Sequence, residues 1–79
     1  MNHAARVIAT AQENVRTFRA FVAENPGIER FAEDYRKITL RGIFIELSEN
    51  VGDLLGRYSS LKNAAEAASH TLRLYDREV

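Results

Sequence analysis

The residues able to do chemistry are few and scattered. Glu66 and His70 stand four apart, so on a helix they share a face, and two such pairs meeting in a dimer would offer zinc or iron a carboxylate–imidazole set. The helical di-iron arrangement instead spaces glutamate and histidine three apart and adds further buried glutamates, which this chain does not have. With two histidines and no cysteine, neither a metal nor another cofactor is expected. Ser48, Ser59, Ser60 and Ser69 have no nearby base in a recognisable nucleophile motif, and neither a phosphate-cradling glycine loop nor an HExxH zinc pattern is present. Glu29 and Glu33 lie one turn apart with Asp34 off to the side, so these carboxylates form a solvated face rather than converging on a shared proton. A catalytic role is not expected.

The run Ala68-Ser69-His70-Thr71-Leu72-Arg73 resembles the signature of histidine phosphotransfer domains, in which an exposed helical histidine is followed by leucine two places on and a basic residue three on. The resemblance spans a few residues and implies a phosphate-accepting role for His70. That family follows the basic residue with glycine to admit its response-regulator partner, where this chain has the bulky Leu74, and it sets its histidine within a four-helix bundle rather than near a C-terminus. A surface histidine on an amphipathic helix accounts for the same residues.

Charge excludes little and favours nothing. Eleven basic side chains balance eleven acidic ones, and the balance holds locally: three against two in residues 1–25, four against five in 26–50, four against four in 51–79. Nine of the cations are arginine, a good phosphate fork, but Arg36, Lys37 and Arg41 are interleaved with Glu33 and Asp34, so nucleic acid is the alternative rather than the expected partner. The first residues lack the basic-then-apolar pattern of a signal peptide, and no apolar run nears the roughly 18 residues needed to span a bilayer. A cytoplasmic address without membrane partners is the expectation.

The elements that must position these residues read as helices. Ala4, Ile8, Ala11, Val15, Phe18 and Val22 alternate four and three apart, which predicts a helix over 3–24 with Asn2 as its N-cap. Asn25-Pro26-Gly27 is strong punctuation, with Pro26 suited to the first position of a second helix, predicted over 26–49. One stripe of that helix would carry Ile28, Phe31, Tyr35, Ile38 and Ile45, and the opposite side Leu40, Ile43, Phe44 and Leu47. A rival reading makes residues 38–47 a small hairpin turning at Arg41-Gly42, because the run is rich in β-branched residues. No third strand-like run would support it. Four-three spacing continues through Val51, Leu54, Tyr58, Leu61, Ala65, Ala68, Leu72 and Tyr75, while Asn50-Val51-Gly52-Asp53 reads as a stop and a fresh cap, giving a third helix over 53–77. Arg73 and Arg77 suit its last turns, where cations meet the negative end of the helix dipole.

The expected fold is therefore all-α, a single domain built as a three-helix bundle or a long helical hairpin. A chain of 79 residues buries about 60 to 65% of its unfolded surface, and without a disulfide it calls for very good packing or self-association. An apolar middle helix with two opposed stripes has one to spare. That surplus predicts a homodimer through helices 2 and 3, with Ile43, Phe44, Leu47 and Tyr58 as interface anchors and Leu40, Phe21 and Tyr75 beside them. The function class this suggests is a non-catalytic inhibitor or adaptor that occupies a partner protein's surface, of the immunity, antitoxin, phage anti-defence or assembly-chaperone kind.

Overall fold

The computed structural model describes residues 2–77. Three helices follow in order, α1 His3–Glu24, α2 Ile28–Leu40 and α3 Glu49–Arg77, and the described residues form no strand. The chain is all-α.

The first helix keeps the limits its periodicity demands. The Asn2 side chain accepts a hydrogen bond from the Ala5 amide at 2.7 Å, satisfying one of the donors a helix start leaves free. At the other end the Asn25 amide reaches the carbonyls of Phe21 and Val22, and its side-chain nitrogen donates to the Phe21 oxygen at 2.9 Å. Asn25 then opens a tight turn, closed by the Ile28 amide donating to the Asn25 carbonyl at 3.1 Å. Gly27 sits at φ 85° and ψ −2°. Proline at the second position and left-handed glycine at the third make this a type II turn. Pro26 is thus the corner of the turn and not the first residue of α2, which begins two residues later than predicted, because a left-handed residue cannot belong to a right-handed helix.

The middle of the chain departs most from expectation. Helix α2 ends at Leu40 rather than continuing to residue 49, in two tight bonds from the Arg41 amide to the Ile38 carbonyl and from the Gly42 amide to the Thr39 carbonyl. Gly42 takes φ 77°, a left-handed stop. Residues 43–48 then contain no turn, no bend and no positive φ, so they run extended, and neither the helix nor the hairpin forms. The helix restarts at Glu49, four residues before the predicted cap at Asp53. Ser48 is the actual cap: its carbonyl accepts from the Gly52 amide at 2.9 Å and its hydroxyl from the Val51 amide at 3.3 Å. Gly52 and Gly56 lie inside α3 with helical φ.

Helices α1 and α3 form an antiparallel hairpin. Phe18 meets Tyr58 at 5.7 Å between ring centroids, and at the far end Ile8 lies beside Leu72. Where α1 ends and α3 begins, α2 joins them, and here Phe21, Ile28, Leu55 and Tyr58 make the core, with Leu47 and Val51 packed against it. Farther along, Ala11, Ala65 and Ala68 are buried between two helices alone, their small side chains allowing close backbone approach. Helix α2 rests on α3 by few contacts and leaves an open cleft between Ala32 and Arg36 on one wall and Leu55 and Ser59 on the other. Among the described residues no large side chain is wholly removed from solvent. The molecule is elongated, 48 × 24 × 18 Å, with a radius of gyration of 15.8 Å against about 12 Å for a compact chain of this length.

Candidate protein-interaction surface

The residues with chemical potential stay apart. Glu66 and His70 are exposed on α3, and Glu66 is drawn toward Lys62 at 3.9 Å. Glu33 pairs with Lys37 at 3.3 Å on the open face of α2, and Glu13 with Arg16 at 2.7 Å on α1. All three pairs stand in water, where such contacts contribute little. Among the described residues no three His, Asp or Glu side chains gather where a metal ion would sit, and no helix is long and apolar enough to cross a membrane. Arg73 lies near the end of α3, while the side chain of Arg77 is outside the described residues.

The apolar residues singled out from the sequence separate into two groups. Tyr58 and Phe21 are buried in the chain's own core, Tyr58 under the Phe18 ring and the Lys62 ammonium, Phe21 under the Arg57 guanidinium at 5.7 Å. They anchor α1 against α3 and have no free surface to offer a partner. Tyr75 is half-buried near the far end of α3, beside Ile8. Leu40, Ile43 and Phe44 are the opposite case, 76%, 55% and 88% exposed. Leu47 is half-buried against the core.

Exposed and half-buried positions alternate along the extended segment. Ile45 and Leu47 turn inward, while Phe44 and Glu46 face solvent, the two-residue period of a strand with one covered face. Its backbone is unused: among the described residues no amide or carbonyl of residues 43–47 hydrogen-bonds within the chain. Ile43, Phe44 and Leu47 thus belong to a strand-like connector and not to a helix face, which alters the kind of contact they can make. The sequence reading places Ile45 on the apolar stripe of a helix rather than on the covered side of an extended run, and passes over Ser48 as a cap. The signal for both was present, in an alternating Ile-Phe-Ile-Glu-Leu run that follows glycine and closes on serine.

Surface area gives the scale of what is uncovered. A folded monomer of 9.0 kDa exposes about 4,900 Å² by the usual size relation, and this chain exposes 6311 Å². The excess, about 1,400 Å², is larger than the roughly 800 Å² that each partner contributes to a standard interface. Compared with protein-family models, with curated proteins and with solved structures, the chain finds no match.

Proposed function

We propose that the protein is a recognition module without catalytic function, which self-associates and acts by covering a surface of a partner protein, as inhibitors, antitoxins and assembly chaperones do. The observation that carries this reading is the exposure of Leu40, Ile43 and Phe44, three large apolar side chains within five residues. Monomeric proteins seldom leave such a run in water, and a buried aromatic anchor with aliphatic neighbours is the usual centre of a protein interface. Arg41, exposed next to the run, suits a polar rim. No comparable observation favours nucleic acid, since Lys37 is engaged by Glu33 and anions are mixed through the cationic face of α2.

Light scattering on the purified chain tests the reading. A dimer is expected, and Phe44→Glu, which places a charge at the most exposed apolar position, should convert it to a folded monomer. A wild-type chain that stays monomeric at high concentration overturns self-association. A dimer indifferent to Phe44→Glu removes the exposed run as its cause.

A further inference from the structure

We infer that residues 43–47 pair antiparallel with the same residues of a second copy of this chain, forming a two-stranded ribbon whose twofold axis passes through Ile45. The inference rests on the self-association proposed above and specifies its geometry. Unpaired strand edges are templates for pairing, and here an extended run rich in β-branched and aromatic residues spends no backbone amide or carbonyl on another of the described residues. A second copy is the occupant because the segment is its own complement: about Ile45, apolar Ile43 and Leu47 fall opposite each other and each Glu46 falls opposite Phe44 rather than another carboxylate.

Register follows from parity and charge. Antiparallel pairing must keep the inward residues of both strands on one face, which permits an axis through position 44, 45 or 46. An axis at 44 draws Gly42, at φ 77°, into the ladder as the partner of Glu46, and that left-handed residue breaks a strand. An axis at 46 sets Glu46 against its own copy, two like charges face to face. An axis at 45 pairs all five residues. Ile43 meets Leu47 of the second copy, Ile45 meets Ile45, and Phe44 meets Glu46. This arrangement also accounts for Ile43, which shares the parity of the inward residues yet is 55% exposed in the isolated chain, because its cover comes from the other subunit.

The chain has no cysteine, so introduced thiols report the register directly. Directly opposed residues of an antiparallel pair have Cα atoms about 4.5 to 5.5 Å apart, within disulfide reach, whereas residues offset by two positions are about 8 Å apart and out of it. Under mild oxidation Ile45→Cys should therefore form a covalent dimer by itself, while Phe44→Cys alone and Glu46→Cys alone should not. Mixing Phe44→Cys with Glu46→Cys should give the crosslinked heterodimer. Both of the latter positions are exposed, so these variants fold whether or not Ile45→Cys does. A dimer by light scattering in which the mixture fails to crosslink overturns the ribbon and leaves self-association standing. Crosslinking of Phe44→Cys alone moves the axis to position 44 and overturns the register. A monomer at every concentration removes both.

Discussion

Tyr58 and Phe44 were equal candidates for an interface while only their types and spacing were known, and the fold assigns them opposite work. Tyr58 lies in the core under Phe18, whereas Phe44 is almost wholly in solvent. Tyr58→Ala should thus destabilise the folded chain by about 3 to 5 kcal/mol in urea denaturation, as large aromatic truncations in a core do, and Tyr58→Phe, which keeps the ring, by less than about 1.5 kcal/mol. Phe44→Ala should change the stability of the monomer, measured by denaturation at low concentration, by no more than about 0.5 kcal/mol. A large loss there would mean that the ring is packed within its own chain. The difference was not legible in the sequence because both residues fall on the same four-three register. That register told which α3 residues share a stripe, and Leu54, Tyr58, Leu61, Ala65, Ala68 and Leu72 are indeed its covered side. It could not tell whether α1 or another molecule would cover them.

Helix α1 was legible to the residue because periodicity, N-cap and terminal asparagine agree. The middle was not, because the signals there conflict: the four-three spacing runs without a slip from Leu40 through Phe44, Leu47 and Val51, yet the chain is extended over half of that length. Local backbone terms decide it. Gly42 takes a left-handed conformation that ends α2, Ser48 caps α3, and Leu47 still reaches the core from an extended backbone. The glycines follow the same logic. An added Cβ at Gly52 or Gly56 would meet nothing within 4 Å, and both are helical, so Gly52→Ala and Gly56→Ala should each stabilise by about 0.4 to 1 kcal/mol. Gly42→Ala has the same open space but a φ of 77°, and should destabilise by about 1 to 2 kcal/mol. Ser48→Ala should lower stability by about 1 kcal/mol, with Ser48→Asp restoring it, both read from the midpoint of urea unfolding. If Gly42→Ala proved neutral and Gly52→Ala harmful, the break between α2 and α3 would lie where the sequence first suggested, at residues 50–53.

A chain whose core is a few side chains at one end of a 48 Å hairpin has little internal stability to draw on, so in the proposed dimer folding and association are linked. Where a folded monomer is in equilibrium with a dimer, association stabilises the folded state by mass action, and well above the dissociation constant a tenfold rise in concentration adds about 1.4 kcal/mol per dimer. The melting temperature should therefore climb by several degrees per decade of concentration in the wild type and stay fixed in Phe44→Glu. Ionic strength separates the possible sources of that linkage. The proposed contact is made by Ile43, Ile45, Leu47 and Phe44 with a single anion per strand, and the whole chain is neutral, so added salt should leave the concentration dependence in place. Binding built on arginine and phosphate would instead fade steeply as salt rises, through the release of condensed counterions. Thermal melts over two decades of protein concentration, repeated at low and high salt, thus distinguish an apolar contact between copies from an electrostatic one. A melting temperature independent of concentration under both conditions would mean that the small core suffices and that the exposed run is not covered by a second copy.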